Sequence, residues 1–204
     1  MSIDKPWSKP FTASIGQLCG MWNGTVEEPP SDQGNSSISI GSPDLFVYPK
    51  LTATVSGYTL EASVYERPLS GISSVVNPLE GDDNVEFLRI TVRCHCAREL
   101  IIRHEGVFDR FKKAIGLEYE PQTGNAGFDR KYFLMAPPGA DIGWLKQSGL
   151  IGFVDDLEPF TAMKFGPLGV EWAAVIEKKE QLEVDRIRVR AESLLKLAPV
   201  VCAT

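Results

Sequence analysis

Three short groupings in the sequence carry the residue types that do chemistry. Cys94-His95-Cys96 places two thiols and an imidazole within three residues, a donor set suited to zinc or redox chemistry. His104-Glu105 sets a side chain that titrates near neutrality beside a carboxylate that could orient it, as a general base requires. Arg89, Arg93 and Arg103 supply cations able to hold an acidic peptide, an anionic small ligand or nucleic acid.

What those groups can reach depends on the elements that carry them. Leu88, Ile90, Val92, Cys94 and Cys96 alternate with Arg89, Thr91, Arg93 and His95, so the spacing predicts one strand over Val85–Cys96. On such a strand the cysteines continue an apolar row while His95 faces the other way. The three then cannot converge on one tetrahedral ion, and the expectation is reduced core thiols, no metal and no cofactor. His104 closes a strand Leu100–His104, and adjacent strand residues point to opposite faces, so His104 and Glu105 are poorly placed to pair directly.

The polar residues left over form the candidate ligand-binding set: Arg89, Arg93, Arg103, His104, Glu105 and Asp109. No residue is assigned a catalytic role. G-x-S-x-G, Walker-type glycine loops, G-x-G-x-x-G and H-E-x-x-H are all absent. The leading expectation is non-enzymatic binding of a protein or small-ligand partner. The alternative is a hydrolase-type enzyme whose site assembles across strands from His104, Glu105 and Cys96.

The remaining elements follow from period and punctuation. Phe11, Ile15, Leu18 and Trp22 share one face of a helix ending at Asn23-Gly24. Alternation over Leu51–Val55 and Leu60–Tyr65 around Ser56-Gly57 predicts a β-hairpin. Loops rich in Pro, Gly, Ser and Asp cover 27–44, with a short strand at Ile38–Ile40, and 67–84. Val107, Phe108, Phe111 and Ile115 stripe a short helix stopped by Gly116, and a strand is expected over Phe128–Met135. The tripeptide Phe-Asp-Arg recurs at 108–110 and 128–130, with Phe inward in each copy. Asp141 caps a turn over Ile142–Gln147, and a further helical turn covers Leu150–Asp156. A second hairpin, Phe160–Phe165 and Val170–Ile176, folds about Gly166-Pro167-Leu168-Gly169. Val184, Ile187, Ala191, Leu194, Leu195 and Ala198 define the last helix, with Pro199 as its expected end.

Strands cluster between helices without regular β-α-β alternation. The expected class is therefore α+β, a mainly antiparallel sheet with helices packed on one side, an N-terminal helix and a long C-terminal helix. The 204 residues suit one domain, 1–204, or two subdomains, 1–105 and 106–204. The net charge of -6 disfavours nucleic acid as a partner, because such affinity rests on clustered Lys and Arg. No run approaches the ~20 apolar residues of a membrane span, and MSIDKPWSKP lacks a signal-peptide core, so a soluble, cytoplasmic chain is expected.

The stretch from Leu100 onward resembles a bacterial family of uncharacterised proteins. The resemblance is carried by Leu100, Ile102, Glu105, Phe108, Phe111, Lys113, Gly116, Phe128, Tyr132 and Leu134. The run Asp141–Ala198 is similar to that family's C-terminal part, and the first helix with the Leu51–Tyr65 hairpin to its start. The resemblance implies an α+β domain and transfers no activity to any residue. Members commonly carry the domain after membrane helices, which this sequence lacks.

Overall fold

The computed structural model describes residues 7–28, 49–68, 84–104, 121–147 and 149–202. The expected strand at Ile38–Ile40, the helix at 107–115, the first Phe-Asp-Arg copy, and the candidates Glu105 and Asp109 lie outside them. The fold is α+β with antiparallel strand pairing, an N-terminal helix and a long C-terminal helix. Two compact units make it up, and they are not consecutive halves. One comprises Met1–Ile90 with Val175–Val189, the other Thr91–Ala174 with Arg190–Thr204.

In the first unit, helix α1 (Ser8–Trp22) buries Phe11, Ile15 and Leu18 completely, the face that the four-three-four spacing defines. Asn23 ends it in the left-handed conformation at φ 49°, and the Gly24 amide donates to the Cys19 carbonyl at 2.9 Å. Strands β1 (Thr25–Glu27), β2 (Lys50–Val55), β3 (Tyr58–Pro68) and β4 (Asn84–Arg93, in this unit through Ile90) follow in that spatial order. The β2–β3 hairpin turns on Ser56 and Gly57, at φ 53° and 82°. Positive φ at both central residues matches the right-handed twist of the strands it joins. A 3-10 turn, Lys179–Leu182, is tied back by Gln181 Nε2, which donates to the Val175 carbonyl at 2.9 Å.

In the second unit the strand order is β8-β7-β5-β6, with β5 spanning Leu100–His104, β6 Tyr132–Met135, β7 Ala162–Gly166 and β8 Gly169–Val175. Every pair along that order is antiparallel. Leu100, Ile102, Met163, Phe165, Val170 and Trp172 are buried, matching the period-two expectation. The β7–β8 hairpin closes through Pro167-Leu168, with Gly166 opposite Gly169.

Three expectations are corrected. The strand expected over Phe128–Met135 begins as helix α2 (Ala126–Lys131), and only Tyr132–Met135 is extended. Local capping overrides the alternation. Asn125 Oδ1 accepts from the Gly127 and Phe128 amides at 3.1 and 3.2 Å, while Asp129 accepts from the amides of Thr123 and Gly124 and the Thr123 hydroxyl. The strand expected to reach Cys96 stops at Arg93. Beyond it the chain turns aside, and the Cys96 amide donates to the Gly166 carbonyl at 3.3 Å. Helix α5 (Val184–Cys202) runs through Pro199 instead of ending there, its last turn held by the buried Val201 and by Cys202. The turn expected over Ile142–Gln147 is helical over Trp144–Gln147 (α3), and Leu150–Asp156 (α4) forms as read.

Among the described glycines, Gly169 leaves the least room for a side chain. Its φ is 129°, and a Cβ there would lie 2.1 Å from the Val92 carbonyl oxygen, a clash with backbone rather than with a side chain that could swing away. Gly169→Ala should therefore lower unfolding free energy by about 2 kcal/mol or more. Chemical denaturation would check this; a midpoint unchanged from wild type refutes the steric account.

Candidate functional site

Two features of the second unit gather polar side chains, and both are built from residues far apart in sequence. The first surrounds Tyr132. Strand pairing sets His104 directly across from Tyr132, and their rings lie 5.3 Å apart. Phe160 stacks on Tyr132 at 5.5 Å with 13° between planes, and Phe128 closes in at 4.7 Å. Tyr132 is fully buried, so its hydroxyl needs partners inside the protein. It donates toward two carboxylates, Asp155 Oδ1 at 2.9 Å and Glu158 Oε1. Lys131 Nζ lies 3.0 Å from Asp155 Oδ1 and 3.1 Å from Glu158 Oε1, and His104 Nε2 lies 3.3 Å from Glu158 Oε1.

The electrostatics follow from that geometry. Burial, then the hydrogen bonds and charges of Glu158 and Asp155, push the Tyr132 phenol far above its ordinary range, so it stays a neutral donor. The hydrogen bond to Asp155 outweighs partial desolvation and, with Glu158, raises the Lys131 ammonium. Burial pushes the Glu158 carboxyl up. Hydrogen bonds from Tyr132 and Lys131 and the charges of His104 and Lys131 outweigh it, holding the carboxyl below its usual range. Tyr132, Lys131 and Glu158 are thus each stabilised in the charge state they ordinarily have at neutral pH.

The second feature is a cleft of about 450 Å³. Arg98 and Glu99, from the link between β4 and β5, line it together with Pro137, Asp141, Ile142 and Trp144, which follow β6. The Arg98 guanidinium lies over the Trp144 ring, 5.3 Å from its centroid. Its Nη1 is buried and has no hydrogen-bond partner among the described residues. Asp141 Oδ1 is engaged locally, accepting from the Gly143 amide at 2.8 Å. Trp144 is held in place by an edge contact with Phe165 at 6.0 Å.

The sequence-derived candidates are distributed differently. Arg89 lies in the first unit, its guanidinium 4.7 Å from the Tyr65 ring centroid, whereas Arg93 and Arg103 belong to the second. Arg103 sits over Phe133 at 4.4 Å, and Arg93 is exposed at the end of β4. His104 does enter a polar cluster, with Glu158 as its carboxylate. It does not meet Cys96. Arg103 pairs with Ala162 at one end of β7, while the Cys96 amide bonds Gly166 at the other, so the enzyme arrangement of His104 with Cys96 is not assembled.

The cysteine expectation is corrected as well. Cys94 and Cys96 lie beyond β4 with their sulfurs 3.7 Å apart, and Cys202 at the end of α5 comes within 3.5 Å of Cys96. Cys94 and Cys202 are joined as a disulfide, and burial raises the Cys96 thiol above its ordinary range. Sequence reasoning missed Glu158, Lys131, Arg98 and Trp144. A signal existed only for Arg98, a cation in a polar link next to a strand.

The Tyr132 cluster makes acid stability a direct readout. Glu158 titrates lower in the folded chain than in the unfolded one, so its contribution is full above the usual carboxylate range and is lost as pH falls through the folded value. The melting temperature should decline between about pH 5 and pH 3, with a shallower decline in Glu158→Gln. Tyr132→Phe should cost about 1–3 kcal/mol and move the acid limb to higher pH, since one of the bonds holding the carboxylate ionised is gone. Parallel acid limbs in all three proteins would refute this coupling.

No protein-family model matches the sequence, and no curated protein matches it. Among solved structures the chain is similar to the crystal structure of the mycobacterial trehalose monomycolate transport factor A, TtfA. The TM-score is 0.47 at 9% sequence identity, covering 93% of this chain and 95% of that one.

Proposed function

We propose that this protein works by binding, and that its ligand is a small molecule presenting a carboxylate to Arg98 and an apolar body to Trp144. The observation that carries this reading is the buried Arg98 Nη1, which has no hydrogen-bond partner among the described residues although it belongs to a side chain lining a cleft. Leaving such a donor unmet costs about 1–3 kcal/mol, and because the atom is closed off from solvent a carboxylate in the cleft would be held by the charge of the guanidinium that lines it. Trp144, already under the guanidinium, offers a flat apolar wall.

Glu99 and Asp141 on the same cleft sharpen the choice. They repel polyanions, so nucleic acid and polyphosphates fit poorly, while an amino group on the ligand would find a partner. The Tyr132 cluster supports binding over turnover, since its phenol is held neutral and its carboxylates are engaged. No helix among the described residues is long and apolar enough to cross a membrane. A cytoplasmic setting belongs to the same reading, supported by only four cysteines in 204 residues, far from the density of a disulfide framework.

Tryptophan fluorescence titrated with aliphatic and aromatic monocarboxylates and amino acids tests the reading. At least one of these should perturb Trp144, with the response absent in Trp144→Phe. Arg98→Gln should weaken binding by about 10- to 100-fold, and Arg98→Lys should recover only part of the loss, because an ammonium lacks the guanidinium's planar fork. Equal affinity in Arg98→Gln and wild type would sink the proposal.

A further inference from the structure

The sulfurs of Cys94, Cys96 and Cys202 all lie within 4.8 Å of one another in the second unit, from positions 94, 96 and 202 of the chain. We propose that the reduced protein binds one thiophilic divalent cation of the zinc class through these three thiolates, with water as the fourth ligand.

The arrangement of the sulfurs carries the inference. Cys94 and Cys202 are bonded to each other, and Cys96 stands 3.7 Å from one and 3.5 Å from the other. With nearly equal distances to both, Cys96 lies beside the S–S bond and not on its axis. Thiol–disulfide exchange needs the attacking sulfur along that axis, so the cluster is poorly built as an exchange relay. A triangle of sulfurs is what a shared cation requires. Metal–sulfur bonds of about 2.3 Å in tetrahedral geometry set the sulfurs about 3.8 Å apart, close to the two distances that Cys96 already makes. Only the bonded pair has to separate.

The elements also suit the site. Cys94 and Cys96 sit on irregular chain after β4, and their sulfurs lie 3.7 Å apart. Cys202 comes from the last turn of α5. Cys96 is buried while Cys94 and Cys202 are half-exposed, which leaves a route for an ion and room for a water ligand.

The chemistry balances in two steps. A small dithiol passes two electrons to the Cys94–Cys202 bond and closes to its own disulfide, and Cys94 and Cys202 each take a proton. The cation then forms three metal–sulfur bonds, and the three thiol protons leave to solvent. Oxidised, the chain keeps a single thiol in the cluster and should not hold the ion. Disulfides are scarce in the cytoplasm, where the reduced, metal-binding form would prevail.

The full-length protein, reduced with a dithiol and freed of it under nitrogen, would be titrated with Co²⁺. Thiolate-to-cobalt charge-transfer absorption should saturate at one equivalent per chain and be bleached by Zn²⁺. Cys19→Ser should behave as wild type, whereas Cys96→Ser and Cys202→Ser, each verified as folded by circular dichroism, should lose the band. Cys202→Ser, at the end of a helix, keeps the test available if the buried Cys96 variant misfolds. A reduced wild type without the band, a folded Cys96→Ser or Cys202→Ser that retains it, or equal binding by oxidised protein would overturn the proposal.

Discussion

A buried phenol that must find hydrogen-bond partners organises the second unit. Tyr132 lies among Phe128, Phe160 and His104, where water cannot satisfy its hydroxyl, and the segment Asp155–Glu158 supplies both acceptors. That segment joins the last turn of α4 to the irregular chain after it, and other donors fix it too. Trp172 Nε1 donates to the Leu157 carbonyl at 2.9 Å, and the Arg190 guanidinium donates to the carbonyls of Asp156 and Glu158. Strands β6 and β8 and helix α5 thus converge on four residues. The positions of His104 and Lys131 follow from this arrangement, because Glu158 serves both.

Where one periodic signal acted alone, the sequence was readable. The α1 face, the turn at Ser56-Gly57 and the hairpin around Pro167-Leu168 are each settled by residues within a few positions of one another. Legibility failed where two local signals competed. Around Phe128 the alternation favoured a strand, but Asn125 and Asp129 satisfy the amides of Thr123, Gly124, Gly127 and Phe128 and make a helix cheaper. At Pro199 the local rule for a helix end lost to burial of Val201 on the same face as Ile187, Ala191, Leu194 and Ala198. The site was least legible. Arg98 and Trp144, or Cys96 and Cys202, meet through tertiary structure, and no spacing within one element encodes such meetings.

Polar groups in this chain divide into those whose needs are met inside the protein and those left open. Tyr132, Lys131 and Glu158 satisfy one another, and that closure rigidifies a layer of the second unit. Arg98 has a buried donor without a partner among the described residues, beside an aromatic wall, and Cys96 is a thiol held next to two further sulfurs. Residues of the first kind explain stability. Those of the second kind are where an external partner gains the most from binding.

The path of the chain between the two units bears on the order in which the protein is made. The first unit takes Val175–Val189 from late in the sequence, after all but the last segment of the second unit has been synthesised, and the second is completed only by Arg190–Thr204. Neither unit can therefore finish its core on a ribosome before residues 175–189 have emerged. Leu51, Leu60 and Ile90, buried in the folded chain, are made well before the late segment of their unit. A cut at any single point also separates at least one unit from part of itself, so neither can be passed on as a contiguous, self-sufficient module.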